Sequence, residues 1–183
     1  MKNTRSGRRD KKSSQYGWVA TVFCIAVTLS AALSLASESL MAGAGMAVAL
    51  LILALFIGLG ILFDIIGVAV TAADEKPFHS MAAHREKGAR EALRLLKNAS
   101  RVSSVCNDVV GDICGIVSGT TAAVIVTQLQ RSLNTRTVLL SVGVTALISG
   151  LTIGGKALGK TFAIRKSTQV VFLAGRFLHL FHR

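Results

Sequence analysis

The sequence predicts an all-α integral membrane protein with four transmembrane helices and two cytoplasmic amphipathic helices. The chain of 183 residues is 51% hydrophobic. Its mean hydropathy of +0.57 leaves too little polar surface for a soluble domain of this length. Four apolar stretches are each long enough to cross about 30 Å of hydrocarbon at about 1.5 Å per residue. Lysine and arginine are unevenly divided among the segments that join these stretches.

The predicted elements begin with a polar, basic segment, residues 1–16, whose composition is typical of disorder. The first span, residues 17–37, follows this basic lead as a signal peptide would, but its long apolar core favours an uncleaved signal-anchor helix. The other three predicted spans are residues 46–72, 102–127 and 137–155. The last is the least apolar, because it contains several hydroxyl residues and glycines.

The distribution of Lys and Arg predicts the orientation of the chain. Six lie before the first span, none in 38–45, seven in 74–101, two in 128–136 and six in 156–183. By the positive-inside rule, both termini and the segment 74–101 are expected to be cytoplasmic, in a bacterial plasma membrane. The net charge of +12 lies almost wholly on that side, where it favours anionic lipid as a partner.

Two segments outside the spans are predicted to be helical. Residues 74–101 suit a helical hairpin, with Pro77 in a first turn and Gly88 as a break. Residues 156–183 suit a basic interfacial helix after the last span. One face of that helix carries apolar residues, namely Val170, Leu173, Phe177, Leu180 and Phe181.

Other functional classes are not expected. The basic residues flank membrane spans and the N-terminal run has only two stacking aromatics, so no nucleic-acid partner is predicted. The three cysteines, Cys24, Cys106 and Cys114, lie within spans and are interpreted as small packing residues. No nucleophile–base pair or cofactor motif predicts an enzyme.

Carboxylates within the spans are the candidate functional residues. Asp64, Asp108 and Asp112 each interrupt apolar sequence, at a cost of about 2.5–3.5 kcal/mol apiece on insertion scales. At about 1.5 Å per residue they lie about 10–16 Å from the cytoplasmic edge, and Asn107 lies at the same level. An all-oxygen cluster of these four residues suits Mg²⁺. The alternatives are structural ion pairs with Lys156, Lys160 or Arg101, or a proton-coupled role.

The glycines of the third span form a ladder, Gly111, Gly115 and Gly119, at four-residue spacing. Small residues at this spacing let helix backbones approach closely. The ladder predicts a close helix contact, either within the bundle or between protomers.

Several partial motifs, in order, resemble one family. They are the run from Phe63 to Ala69, the hairpin sequence HREKGAREALRLLKNASRV, the triplet Cys106-Asn107-Asp108, and the segment from Gly155 to Arg165. From about residue 62 to residue 179 the chain resembles the transmembrane domain of the CorC/CorB/CNNM magnesium transport proteins. The resemblance implies a three-span core in residues 46–155, an extra N-terminal helix, a homodimer, Mg²⁺ as the cargo and a relative without CBS domains.

The resemblance also implies a binding site that has changed. In the family a Ser, an Asn and a Glu help to bind dehydrated Mg²⁺. The matching positions are Asp64, Asn107 and Lys156, and Gly159 stands where the family has Pro. The implied function is transport of a divalent cation through a rebuilt carboxylate and amide site. The alternative is a non-transporting scaffold or accessory subunit in which Lys156 pairs with the carboxylates.

Overall fold

The computed structural model describes residues 6–41, 43, 45–134 and 138–181, with side chains for residues 17–180. Within these residues the protein is helical apart from short turns and loops. The helices are α1 (Ser6–Met41), α2 (Met46–Ala72), α3 (Lys76–Ala83), α4 (Ala89–Lys97), α5 (Ala99–Ser104), α6 (Asp112–Ser132), α7 (Val138–Arg165) and α8 (Ser167–Phe181). A π-helical segment, Val105–Gly111, joins α5 to α6.

Within these residues, four helices are long and apolar enough to cross a membrane. They are Gly17–Met41, α2, the continuous helix Ala99–Ser132 and α7. This confirms the predicted all-α membrane architecture. Helix α2 lies at the centre, since it contacts α1, the third span and α7.

The bounds of three helices differ from the predicted ones, and the third span, Ala99–Ser132, extends beyond 102–127 at both ends. Helix α1 begins at Ser6, inside the segment expected to be disordered, and residues 1–5 lie outside the described part. The sequence from Ser6 to the span contains no Pro, so a helix can continue back from the apolar core. Helix α7 ends at Arg165 rather than at 155, because Gly159 and Ala163 continue to pack into the bundle. Lys156 therefore lies within α7.

Helix α1 packs against the core through apolar side chains at heptad-like spacing, Val22, Ala26, Leu29 and Leu33. They contact a cluster from α2, the π-helical segment and α6 that includes Phe56 and Val117. Near the end of α1, the Ser37 hydroxyl lies 3.5 Å from that of Thr121. Both residues are buried, at 2% and 0% exposure. Helix α1 is thus fixed to the third span by a polar contact as well as by apolar packing.

A second core lies where α3, α4 and α8 meet the end of α2. Phe78, Val70 and Val171 are almost fully buried in it. The predicted break at Gly88 is present: its φ of +93° lies in the left-handed region, and α4 begins at the next residue. Gly88 and Gly175 allow α4 and α8 to come into backbone contact. The approach is so close that a Cβ atom on Gly175 would lie 2.6 Å from the Gly88 carbonyl oxygen.

Helices α4 and α8 are also joined by a polar contact. The Nδ1 atom of His179 lies 3.1 Å from Glu91 Oε1. This hydrogen bond lowers the pKa of the Glu91 carboxyl group, although partial burial opposes the effect. The carboxylate accepts, so the imidazole Nδ1–H donates. The contact joins α8 to the α3–α4 hairpin on the side that charge distribution predicts to be cytoplasmic.

Candidate functional site between α2, the third span and α7

Between residues 60 and 67, helix α2 packs closely against the third span because glycines flank Asp64 on the contacting face. Gly60, Asp64 and Gly67 share this face at spacings of four and three residues. A Cβ atom on Gly60 would lie 3.2 Å from Cys114 Cβ and 3.9 Å from the carbonyl oxygen of Gly111. A Cβ atom on Gly67 would overlap the Oδ1 atom of Asn107. The two glycines place the segment 107–111 directly opposite Asp64.

Asp64 and Asn107 present two buried oxygen atoms at this contact. Asp64 is only 5% exposed, and its Oδ2 atom has no hydrogen-bond partner among the described residues. The Oδ1 atom of Asn107 also has none, while its Nδ2 atom lies 3.2 Å from the Ser103 hydroxyl oxygen and donates to it. A buried acceptor without a partner costs about 1–3 kcal/mol, and more when it is charged. Such a pair of atoms calls for a ligand or another specific explanation.

The backbone opposite Asp64 is itself irregular. The π-helical segment spans Val105–Gly111 and therefore contains Asn107. A π-turn replaces i→i+4 hydrogen bonds with i→i+5 bonds, and single π-turns are frequent at functional sites. The carbonyl oxygen of Cys106 lies 3.4 Å from the position that a Gly111 Cβ atom would take. This widened turn changes where carbonyl oxygens point beside the two unpartnered side-chain oxygens.

Lys156 extends from α7 into the junction of α2, the π-helical segment and α7, beside Asp64 and Asn107. It is half-buried, and its Nζ atom lies 3.7 Å from the Cβ position that Gly111 lacks. The backbone of α7 comes close to α2 because Gly155 and Gly159 face Ile61 and Ile65. The site therefore combines a buried carboxylate and an amide oxygen with a lysine ammonium group.

The predicted ion pairs are not found in the part of the chain that the structure describes. Its two ion pairs, His79–Glu75 and His179–Glu91, both lie outside the spans. Arg101 instead stacks over the ring of Trp18, with its guanidinium carbon 5.1 Å from the ring centroid. Lys156 thus approaches the site without forming a direct ion pair to a carboxylate.

The three carboxylates do not share one face in the single chain, and the predicted cation site that includes all three stays a prediction. Asp108 and Asp112 are exposed on the outside of the bundle, while Asp64 is inside it. In the described residues no group of three His, Cys, Asp or Glu side chains is arranged to hold a metal. Equal depth does not imply a shared face: adjacent helical residues point about 100° apart, so Asn107 faces α2 and Asp108 does not.

The three glycines of the ladder have different surroundings. Gly111 lies in the junction, whereas Gly115 and Gly119 have no atom within 4 Å of the Cβ positions they lack. Those two are exposed on the same side of the third span as Asp108 and Asp112. A contact between protomers along this face stays a prediction.

Reasoning from sequence missed the π-helical segment, whereas it named Lys156 as an alternative partner of the carboxylates in the spans. A π-turn has no reliable signal in a single sequence, since no residue type specifies it. The glycines on either side of Asp64, Gly60 and Gly67, together with Gly111 on the third span, were the available clue.

Comparison with known proteins identifies a family that matches the chain. The family described as Cyclin M transmembrane N-terminal domain matches residues 50–183, well over half of the chain. No curated protein and no solved structure matches. The matched region begins in α2 and contains Asp64, Asn107 and Lys156. The chain is an integral membrane protein that belongs to the Cyclin M transmembrane-domain family, which is linked to divalent cation transport.

Proposed function

We propose that the protein transports a divalent cation, most favourably Mg²⁺, through the junction of α2, the π-helical segment and α7. One observation carries the proposal: Asp64 Oδ2 and Asn107 Oδ1 are buried without a hydrogen-bond partner. Mg²⁺ and Ca²⁺ take oxygen ligands from carboxylates, amides and backbone carbonyls. A bound cation would offset the cost of burying both atoms.

The charge of the site supports a cation rather than a neutral cargo. The family resemblance places its acidic ligand at position 156, where this chain has Lys, and a Ser at position 64, where this chain has Asp. The acid has in effect moved from α7 to α2. Asn107 keeps its identity and faces α2. The carboxylate supplied by Asp64 restores the negative charge that a hard cation requires.

The proposal revises the predicted ligand set. Asp64 and Asn107 remain in it, and carbonyl oxygens of the π-helical segment are candidates to complete it. Asp108 and Asp112 leave it, because their side chains are exposed on another face.

These two exposed carboxylates support a homodimer instead. Facing hydrocarbon, each would cost about 2.5–3.5 kcal/mol on insertion scales. A second copy covering this face would remove both from lipid, and the absence of side chains at Gly115 and Gly119 would allow close approach.

Helix α8 supports a peripheral contact with anionic lipid. Leu173, Phe177 and Leu180 are exposed on one side of it, while Val171 and Gly175 face the α3–α4 hairpin. Arg165, Lys166 and Arg176 lie in or beside this helix. Apolar side chains flanked by cations are typical of a helix at the surface of an anionic leaflet.

The test compares two carboxylates of different placement. Asp64→Asn removes the charge inside the site, and Asp108→Asn removes a charge outside it, each with little change of shape. We expect Mg²⁺ at constant ionic strength to raise the unfolding temperature of wild type and Asp108→Asn, because a ligand that binds only the folded form stabilises it. Asp64→Asn should lose that response, and proteoliposomes containing it should lose Mg²⁺ flux. Equal responses and fluxes in all three proteins would refute the site.

A further inference from the structure

We propose that Lys156 is a tethered competitor of the transported cation: its ammonium group balances the charge of Asp64, and an entering cation displaces it. This inference rests on the proposed function above and adds a determinant of affinity to that site.

The first step concerns position. Gly60 faces Gly111, and Gly67 faces Asn107. Asp64 lies between these glycines on α2, so its carboxylate lies about one helical turn, roughly 6 Å, from the level of Gly111. The Nζ atom of Lys156 lies against Gly111. The ammonium group and the buried carboxylate therefore share one small region of the bundle.

The second step concerns the state of the carboxylate. Asp64 is 5% exposed, and its Oδ2 atom is unpartnered. No ion pair joins it to Lys156 within the described chain. The positive charge is thus close enough to act through space but is not fixed by a direct contact. The long, flexible stem of lysine allows such an ammonium group to move without backbone change.

The third step concerns the alternative for a lysine at the membrane edge, which is to extend its charged end into the interfacial water. Lys160, one turn further along α7, is exposed as that behaviour requires, whereas Lys156 is half-buried and reaches the third span. The Lys156 side chain therefore points into the bundle and not towards the interface. The exposed Lys160 is the matched control on the same helix.

A cation bound to Asp64 and Asn107 would be repelled by the Lys156 ammonium group about one helical turn away, since like charges interact strongly in a medium of low polarity. Binding therefore requires Lys156 to move away, and removal of its charge should tighten binding. We expect Lys156→Arg to bind Mg²⁺ with the affinity of wild type. We expect Lys156→Met to bind it at least tenfold more tightly.

The experiment uses the full chain in lipid nanodiscs. The dissociation constant for Mg²⁺ is obtained from unfolding temperature against Mg²⁺ concentration at constant ionic strength, for wild type, Lys156→Met, Lys156→Arg and Lys160→Met. Lys156→Met is expected to bind at least tenfold more tightly, and the other two variants are expected to match wild type. A tenfold change corresponds to about 1.4 kcal/mol.

The outcomes separate this inference from the proposed function. If wild type binds Mg²⁺ and Lys156→Met binds it equally or more weakly, the competitor role is wrong and the transport site stands. If neither folded protein responds to Mg²⁺, both proposals fail. Lys156→Met also leaves Asp64 without a nearby cation, so it is prepared with and without Mg²⁺. Folding only with Mg²⁺ supports the inference, and failure to fold in both conditions, for Lys156→Met and Lys156→Gln alike, overturns it.

Discussion

Gly67 of α2 lies so close to Asn107 of the π-helical segment that a Cβ atom on Gly67 would overlap the Asn107 amide oxygen. That oxygen is buried and accepts no hydrogen bond among the described residues. The contact fixes the amide beside Asp64. The absence of a side chain at Gly67 is therefore a requirement of the site and not only of helix packing.

Gly67→Ala should disturb the site. The added methyl group must displace the Asn107 side chain, and overpacking of this kind typically costs about 1–3 kcal/mol. We expect a lower unfolding temperature and a weaker Mg²⁺ response. Gly58→Ala is the control, because nothing lies within 4 Å of its Cβ position on the same helix. Equal behaviour of the two variants would show that Asn107 is not held as described.

Gly175→Ala should separate α8 from the hairpin. The new Cβ atom would lie 2.6 Å from the Gly88 carbonyl oxygen and 2.8 Å from the Ala92 nitrogen. These are backbone atoms, so a side-chain rotation cannot relieve the clash. We expect faster amide hydrogen exchange in α8 and α4. Gly154→Ala, with no atom near its Cβ position, is the control and should leave exchange unchanged.

The α4–α8 contact should weaken in acid. The folded-state pKa of Glu91 is lowered, chiefly by the His179 hydrogen bond, and Arg94 also contributes. A lowered carboxyl pKa adds stability above the unfolded value of about 4.3, and this is lost as pH falls through the folded value. The unfolding temperature should therefore fall below about pH 4.3. Glu91→Gln should show a shallower acid dependence, and an unchanged slope would argue against the contact.

Gly115→Leu should act on assembly and not on the protomer. No atom of the same chain lies within 4 Å of the Cβ position of Gly115, so the single bundle can accept the side chain. A second copy packed on this face could not. We expect the dimer fraction in detergent, measured by light scattering, to fall without loss of helicity. Gly150→Leu, at an open position on α7, should leave the dimer intact.

Cysteine labelling tests the orientation. Ser39→Cys, in a background with the three native cysteines replaced, places a thiol at an exposed position near the end of α1. With the N-terminus cytoplasmic, a membrane-impermeant reagent should label it from outside intact cells. A cysteine at His84, in the hairpin, should react only after the membrane is permeabilised. Labelling of position 39 only from inside would reverse the topology.

The spans could be predicted because length and hydropathy decide them locally: α2 has the predicted bounds, 46 to 72. The end of α7 could not, since the packing of Gly159 and Ala163 on the bundle continues the helix through two lysines. The break at Gly88 was predictable from the residue itself. Its contact with Gly175, 87 residues later in the chain, was not.

The site was predictable in part for a related reason. Depth along a helix follows from residue counting, so Asp64 and Asn107 were placed at one level. The face that a residue presents depends on how helices pack, and a π-turn alters the rotation of residues within it. Asp108 was therefore assigned to the interior, although its neighbour Asn107 is the residue that faces α2.

If Lys156 moves as proposed, its charge is subject to the membrane voltage. Moving one elementary charge through the full potential is worth about 2.3 kcal/mol per 100 mV, and a smaller displacement takes a proportional share. An ammonium group that shifts along the membrane normal as an ion enters would carry gating current. With a negative interior, the potential draws this group towards the cytoplasm, and depolarisation would weaken that pull. Ion occupancy would then follow the energetic state of the cell as well as the ion concentration.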